Sequence, residues 1–367
     1  MRSLSEIYNT YFSSTAVTSY EEDERIFRTR FMRAWFIIFL ALLGVVFLLS
    51  LVGIGANEYH YFIGNLILVN LIAATGLQLL VGFTGLLSLG HAAFMGVGAY
   101  TSALLITQFG IPFILAILMG GLMASLFGLI VGIPSLRIKG FYLMVATLAF
   151  QFVIEYFIIH WDSLTRGIRG IELPTPRILG ISLEYHKAFF IFALALAVFM
   201  LWGAKNLLRS KIGRAFIAVR DGDISAEIIG ISVFRYKLLA FAVSSFYAGI
   251  AGALFASLLR AAIPEDYSFL RSIIFLAMVL VGGIGRLVGT LFGVIFITLV
   301  PVLLDLLVSF LAAKIDPNFT VYLGPMKEFV FGGLIILFII FEPEGLVGIW
   351  IRLRNYFKIW PLPYLSE

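Results

Sequence analysis

Cysteine is absent from the 367 residues of the chain. Its absence excludes disulfides, thiolate zinc sites, iron–sulfur clusters and cysteine nucleophiles. The four histidines stand singly along the sequence and predict no metal site. The sequence also lacks the H-E-x-x-H pattern and the G-x-x-x-x-G-K-[ST] phosphate-binding loop, and it contains no Gly-Lys dipeptide. We therefore expect a chain that is not itself an enzyme, holds no cofactor and does not bind ATP through a P-loop.

Charged side chains are scarce as well, at 13% of residues, whereas apolar residues reach 61% and the mean hydropathy is +1.04. Soluble chains carry roughly 25% charged residues, so this one has too little polar surface to cover a water-soluble particle. The composition excludes a soluble enzyme and predicts an integral membrane protein. The net charge of +5 then fits a basic cytosolic face against membrane lipid, and we expect no nucleic-acid partner.

Long apolar runs dominate what the sequence does contain. A membrane-spanning helix needs about 20 predominantly apolar residues. Dividing the runs at charges and turn residues predicts an all-α, polytopic integral membrane protein with about ten transmembrane helices. A count of eight to eleven is compatible, because the apolar run barely pauses at 82–85 and at 281–286. The ten candidates are residues 34–54, 60–82, 86–107, 112–133, 140–160, 187–208, 238–259, 268–283, 287–309 and 326–345.

The placement of lysine and arginine orients these helices, because cytosolic loops carry an excess of both residues. Of the 26 Lys and Arg residues, 18 fall in segments that a ten-helix topology with an inside N-terminus places in the cytosol. We therefore expect both termini to be cytosolic. The predicted organisation is a cytosolic N-terminal segment at 1–33, a transmembrane domain at 34–345 with a cytosolic loop at 209–237, and a cytosolic C-terminal tail at 346–367.

Small residues are spaced for helix packing in two places. Gly128-x-x-x-Gly132 and Gly285-x-x-x-Gly289-x-x-x-Gly293 put glycines on one face of a helix, where another helix can approach closely. We expect both patterns to serve packing.

The segment at 82–100 combines small residues with an interruption. Its first glycines permit a bend or an unwound turn, and interrupted apolar segments line substrate paths in transporters. Tight helix packing explains the same pattern about as well. If helical, the segment and the residues after it place five side chains along one face: Ser88, Ala92, Met95, Ala99 and Ser102. Four of them, Ser88, Ala92, Met95 and Ser102, are the candidate substrate-pathway residues.

Ionisable groups within the predicted spans are few. Glu155 and Asp305 are the plausible intramembrane carboxylates, and both lie near the end of a span. Gln151 and Glu155 form an i, i+4 pair that would suit a polar pathway. An ion-coupled transporter or an intramembrane hydrolase would need charges deeper in the membrane, because such charges are costly and are kept for function. These two classes are the rival interpretations.

The predicted cytosolic loop at 209–237 is longer than a connection between two spans requires. Asp223 can cap a short helix that begins at Ile224, and Gly230 can end that helix in the left-handed conformation. The resulting amphipathic element is flanked by arginines. It fits either a basic loop resting on anionic lipid or a docking helix for a cytosolic partner.

Four segments resemble, in order along the chain, the permease family of branched-chain amino acid ABC importers. They are G-L-L-S-L-G-H-A-A-F-M-G-V-G-A-Y at 85–100, R-I-K-G-F-Y-L-M-V-A-T-L-A-F-Q-F at 137–152, S-K-I-G-R-A-F-I-A-V-R-D-G-D at 210–223 with its continuation, and F-E-P-E-G-L-V-G at 341–348. The chain is most similar to the longer, M-type permease subunit. Leu86 departs from the family pattern, which commonly has Gln there.

The resemblance implies a transport system of several subunits in a prokaryotic inner membrane. It implies a second homologous permease, two cytosolic ABC ATPases that use ATP, and an extracytoplasmic solute-binding protein. The implied cargo is a branched-chain or similar hydrophobic amino acid, with urea or a short-chain amide as the alternative. In this scheme the ATPase-coupling residues are Gly213, Arg214, Asp223, Ala226, Glu227 and Gly230. Arg166 and Arg169 depart from the family pattern, which usually has small or neutral residues there; because they lie in the predicted outer loop at 161–186, we expect the binding protein to dock near them.

Overall fold

The computed structural model describes residues 58–135, 140–178, 181–182, 186–314 and 329–359, except 334, 337, 339 and 343. The predicted span 34–54 therefore lies outside the described residues, as does part of 326–345. One compact unit comprises Glu58–Ile351. A second unit comprises 1–57 and 352–367, of which the structure describes the helical residues 352–359.

Helices make up nearly all of the described chain. α1 (Glu58–Leu77) continues as a π-helix (Gln78–Phe83). It is followed by α2 (His91–Thr107), α3 (Phe113–Ser135), α4 (Phe141–His160), α5 (His186–Arg209), α6 (Lys211–Asp221), α7 (Asp223–Ile228), α8 (Val233–Leu259), α9 (Phe269–Gly282), α10 (Leu287–Lys314) and α11 (Leu346–Ile359).

Six helical stretches in the described residues are long and apolar enough to cross a membrane. They are Glu58–Phe83, Phe113–Ile133, Phe141–His160, His186–Arg209, Val233–Leu259 and Leu287–Asp305. Two shorter apolar helices, His91–Thr107 and Phe269–Gly282, accompany them. Each of these eight elements matches a predicted span.

The core of the bundle forms around α1 and α8, which are the most deeply buried spans. Helices α2 and α3 pack on α8 through glycine. A Cβ added at Gly98 would overlap the backbone of Gly249, and one at Gly252 would overlap the carbonyl of Met95. Close approach of backbones is what small residues contribute between membrane helices.

Both predicted glycine patterns contribute to such packing, with one correction. Gly128 abuts Ser245 and Gly132 abuts Leu238, both on α8. The pair at 289 and 293 abuts the backbone of Gly282 at the end of α9. Gly285 lies in the turn between α9 and α10 with a φ of +77°, so it is not part of the α10 face.

The chain between the π-helix and α2 includes a non-helical stretch, which corrects the predicted span 86–107. Residues 85–90 are irregular, and α2 begins only at His91. Gly85, with a φ of +74°, permits the turn that leads out of the π-helix. The predicted interruption is present, and it shortens the second span to 17 residues.

Short strands organise the connection between α4 and α5. β1 (Ile171–Glu172) pairs antiparallel with β4 (Ala261–Ala262), which follows α8, and β2 (Arg177–Ile178) pairs with β3 (Ile181–Ser182). The Thr165 hydroxyl donates to the carbonyl of Ile158 at 2.7 Å. This connection is therefore tied both to the end of α4 and to the segment after α8.

Candidate functional site

Helices α6 and α7 form an arm, residues 210–231, between the long helices α5 and α8. Ser210 caps α6, because its hydroxyl accepts a hydrogen bond from the Ile212 amide at 3.1 Å. The short helix α7 ends in a Schellman motif, in which the Ile231 amide donates to the Ala226 carbonyl and the Gly230 amide to the Glu227 carbonyl. Gly230 has a φ of +85°, which confirms its predicted left-handed conformation.

Asp223 does not cap α7, contrary to the prediction. It lies inside the helix, and no side chain caps the N-terminus. Its carboxylate instead accepts a hydrogen bond from Lys237 Nζ at 2.6 Å, in an ion pair whose side chains are mostly buried. Gly222 occupies the N-cap position of α7 instead, with an extended φ of 173°. Asp223 thus joins the arm to the first turn of α8.

The two faces of α7 differ in character. Ala226 is 1% exposed and packs with Val219 and Val233, so it holds the arm together and cannot contact a partner directly. Glu227 and Gly230 are exposed. Three isoleucines, each at least 71% exposed, form the apolar outer face of this short helix and its end: Ile224, Ile228 and Ile229.

The two coupling candidates on α6, Gly213 and Arg214, differ in exposure to solvent. Gly213 is buried, and a Cβ there would overlap the backbone of Leu208 at the end of α5. It therefore allows the sharp passage from α5 into α6. Arg214 is exposed on the surface of the arm. Of the six predicted coupling residues, Arg214, Glu227 and Gly230 are accessible to a partner.

Arg220, which the sequence reasoning did not select, connects the arm to the bundle. Its Nη1 donates to the carbonyl of Gly82 at 3.1 Å, across 138 residues of sequence. A Cβ added at Gly85 would lie 3.0 Å from Cγ of Arg220, and a Cβ added at Gly285 would lie 3.1 Å from Nη1 of Arg220. Arg220 thus touches the connection after α1 and the connection before α10.

A second polar contact joins those two connections to each other. Gln78, fully buried in the π-helix, donates from Nε2 to the carbonyls of Gly283 at 3.0 Å and Arg286 at 3.1 Å. A cavity of about 480 Å³ opens beside Arg220, between the arm, the 84–87 segment and Lys237. The end of the π-helix that continues α1, the end of α9 and the start of α10 therefore meet at the base of the arm.

The four candidate pathway residues lie inside the bundle. Ser88, Ala92, Met95 and Ser102 are each at most 1% exposed. Ser88 precedes α2, so it does not belong to the predicted helical stripe. The Ala92 amide donates to Ser272 Oγ at 2.9 Å, and Ser102 Oγ donates to the Ala99 carbonyl. In this structure the stripe is a packing surface, and its role as a pathway stays a prediction.

Gln151 forms a polar junction where α2 and α9 begin. Its Oε1 accepts from the Ala93 amide at 2.7 Å and from Ser272 Oγ at 3.1 Å, and its Nε2 donates to the Tyr267 carbonyl at 2.7 Å. The predicted i, i+4 pair with Glu155 is thus replaced by contacts to other helices. This junction satisfies backbone groups that the two short helices would otherwise leave unpaired.

The connection after α4 displays both arginines expected to meet a binding protein. Arg166 and Arg169 are exposed, and Arg166 has a left-handed φ of 60°. Their role in docking a binding protein stays a prediction. Within the described ranges, no three His, Asp or Glu side chains cluster as metal ligands would.

Comparison with known proteins identifies the family to which the chain belongs. Residues 61–339 match the model of the branched-chain amino acid transport system / permease component family. The chain belongs to this permease family. It is 32% identical over 309 residues to the high-affinity branched-chain amino acid transport system permease protein LivM of Escherichia coli, covering 78% of this chain and 69% of that protein.

Other relatives in the comparison include a second LivM and a permease named for ribose import. LivM of Salmonella typhimurium is also 32% identical over 309 residues, with the same coverage of 78% and 69%. The ribose import permease protein RbsC of Haemophilus influenzae is 24% identical over 278 residues, covering 71% of this chain and 81% of that protein. No solved structure matches the chain. The family match and the six apolar helices make this chain a multi-pass membrane transport subunit and not an enzyme.

Proposed function

We propose that the chain is the membrane-spanning permease subunit of an ATP-driven importer for branched-chain or similar hydrophobic amino acids. The name of LivM, to which the chain is 32% identical, supports this cargo. In this proposal a second homologous permease completes the membrane unit, two cytosolic ABC ATPases use ATP, and an extracytoplasmic binding protein delivers the amino acid. The membrane is the inner membrane of a prokaryotic cell.

The observation that carries the proposal is the arm at 210–231. Its exposed isoleucines offer an apolar face to a partner, and Arg220 connects the same arm to the end of the π-helix and to the turn between α9 and α10. An element that both docks and contacts the bundle can transmit movement from an ATPase. The alternative of a loop resting on lipid does not require the contact between Arg220 and Gly82.

The proposed topology places the arm and both termini in the cytosol, with about ten transmembrane helices in all. The connection at 161–185 and residues 261–262, which pair with it through β1 and β4, then face outward. The count of Lys and Arg residues supports this orientation. Reporter fusions after residues 33, 178, 222 and 367 would test it, since cytosolic and external reporters give opposite signals.

Reconstitution tests the proposed function directly. The chain would be produced together with the second permease, the ATPases and the binding protein, and the purified complex placed in proteoliposomes. We expect uptake of labelled leucine that requires ATP and the binding protein. Urea and acetamide, offered in parallel with their own binding proteins, should not enter. Uptake driven by a proton or sodium gradient without ATP would instead favour a secondary transporter.

A further inference from the structure

Asp266 lies in the connection between α8 and α9, and Arg271 lies in the first turn of α9. Both are level with the middle of the neighbouring helix α4, not with its end. Gln151, which bonds Tyr267 and Ser272, is the eleventh residue of the 20-residue helix α4. About 13 Å of helix separates it from the end of α4 at His160. The segment at 266–272 therefore sits near the middle of a membrane-spanning helix rather than at its end.

Charges at such a depth need an explanation. A charged side chain within the membrane costs roughly 2.5–3.5 kcal/mol on insertion scales, and it faces a bundle interior or a water-filled cavity. Asp266 and Arg271 form an ion pair with an Nη2 to Oδ1 distance of 3.7 Å, too long for a good hydrogen bond. Their side chains are 25% and 24% exposed. The pair is thus loosely closed and reaches the surface of this chain.

Two tyrosine hydroxyls beside the pair have unused hydrogen-bonding capacity. Tyr100 and Tyr267 are buried, and neither hydroxyl has a hydrogen-bond partner in the described part of the chain. Both lie within electrostatic reach of Asp266. A buried polar group without a partner costs about 1–3 kcal/mol, so these hydroxyls indicate that a polar partner is to be accommodated here.

Arg271 is held in a fixed orientation. Its guanidinium carbon lies 4.3 Å from the centre of the Phe255 ring, a cation–π contact. A guanidinium held by its face keeps its N–H edges available for a carboxylate. Close to the pair in sequence, the side chains of Ile263, Leu270 and Ile273 are exposed and supply apolar surface.

We propose that Asp266 and Arg271 form a binding site for a zwitterionic amino acid with an apolar side chain. Arg271 binds the carboxylate of the cargo, Asp266 accepts hydrogen bonds from its ammonium group, and the side chain lies against the apolar surface. When the ion pair opens, the hydroxyls of Tyr100 and Tyr267 donate to Asp266. This inference rests on the proposed function and narrows its cargo, because urea and simple amides carry neither charge.

The test uses a photoactivatable leucine analogue that keeps its ammonium and carboxylate groups and carries a diazirine in the side chain. It is applied to the purified permease complex, and labelled residues are identified by mass spectrometry. We expect labelling within 263–273, abolished by excess leucine but not by leucinamide or urea. Asp266→Asn and Arg271→Gln should each reduce it about tenfold or more, since each removes a hydrogen bond to a charged group.

Matched controls are Glu172→Gln and Arg177→Gln, which remove exposed charges on β1 and β2. Both should label as the unaltered chain does. Labelling confined to other segments, or competition by leucinamide and urea equal to that by leucine, would overturn the proposal. If Asp266→Asn or Arg271→Gln does not assemble into the complex, the positions labelled in the unaltered chain and the competition by leucine, leucinamide and urea still test the proposed site. A complex that imports leucine with ATP but labels elsewhere defeats this site alone, whereas absence of ATP-driven leucine uptake defeats the proposed function.

Discussion

Arg220 joins the arm to a distant part of the chain. Asp221, its neighbour in sequence, binds the same guanidinium at 3.1 Å but is 63% exposed, and such surface pairs stabilise little. The hydrogen bond to the Gly82 carbonyl is different, because it joins the arm to the end of the π-helix. A carbonyl at a helix C-terminus also carries partial negative charge, which favours a cation there. We interpret Arg220 as a positioning residue between the arm, which we propose docks an ATPase, and the apolar helices.

Removing that contact should separate ATP hydrolysis from transport. For Arg220→Ala we expect ATPase activity to persist while leucine imported per ATP falls severalfold, because the arm can move without carrying the 82–90 segment. Arg220→Lys should recover only part of the ratio, since lysine keeps the charge but loses the planar fork. The measurement is the stoichiometry of uptake to phosphate release in proteoliposomes.

A cross-link provides the converse experiment. A Cβ added at Gly85 would lie 3.5 Å from Cβ of Arg220, which is within the range of Cβ–Cβ distances in disulfides. The chain contains no cysteine that could compete for the bond. Oxidation of the Gly85→Cys, Arg220→Cys double variant should restore the ratio that Arg220→Cys alone loses, and reduction should remove it again. Gly85→Cys alone and Lys211→Gln serve as controls. A ratio unchanged in Arg220→Ala would refute the positioning role.

Gly230 is required by the shape of the end of α7. In Gly230→Val a β-branched residue must adopt a φ of +85°, a conformation that costs an L-residue about 1–2 kcal/mol. The Schellman motif should open and displace the apolar face of α7, while the long helices remain folded. We expect normal membrane insertion with weakened ATPase association, measured by co-purification. Full association together with normal coupled uptake in this variant would contradict a docking role.

Among the helices, those with long apolar runs were predictable to within a few residues at most of their ends, because membrane thickness fixes their length. The α8 helix is an exception, since it begins at Val233 rather than 238 and incorporates Arg235 and Lys237. The start of α2 was not predictable in the same way. Leu86, Leu87 and Leu89 are apolar whether or not the backbone is helical, so hydropathy cannot register the irregular stretch.

Contacts between distant segments explain what sequence reasoning missed at the arm. The left-handed Gly230 is a local requirement and was predicted correctly. The pairing of Asp223 with Lys237 and the contact of Arg220 with Gly82 depend on how α8 and the π-helix approach, which no local pattern encodes. The burial of Ala226 follows equally from packing on Val219 and Val233.

The enclosed position of α2 leads to a prediction about Ala92. A phenylalanine there has no space, since Ala92 is fully buried and its amide bonds Ser272. Overpacking typically costs about 1–3 kcal/mol, so Ala92→Phe should lower the melting temperature of the purified complex and reduce uptake and ATPase stimulation together. Ala92→Gly is the control for altered side-chain volume without overpacking. Loss of uptake with full stability and full ATPase stimulation would instead favour a substrate path along this helix.

Across the whole molecule, burial is unevenly distributed among the spans. α1 and α8 are enclosed, whereas α3, α4, α5 and α10 expose apolar faces along much of their length. Lipid covers such faces readily, and a second permease would cover part of them in the proposed complex. The segment 263–273 combines exposed apolar side chains at Leu270 and Ile273 with the partly exposed Asp266–Arg271 pair, so we expect the partner permease or a water-filled path near it rather than lipid alone.

Charge on the external connection should govern delivery by the binding protein. Arg166 and Arg169 are exposed, and rim charges chiefly set encounter rates and their salt dependence. Arg166→Glu with Arg169→Glu should therefore slow delivery most at low salt, where screening extends over about 30 Å at 0.01 M compared with about 8 Å at 0.15 M. The corresponding double glutamine variant, which removes the charge without reversing it, should show roughly half the change in salt slope. Delivery rates measured across a salt series decide the matter: if the reversal changes neither the rate nor the slope, these arginines meet lipid headgroups rather than the binding protein.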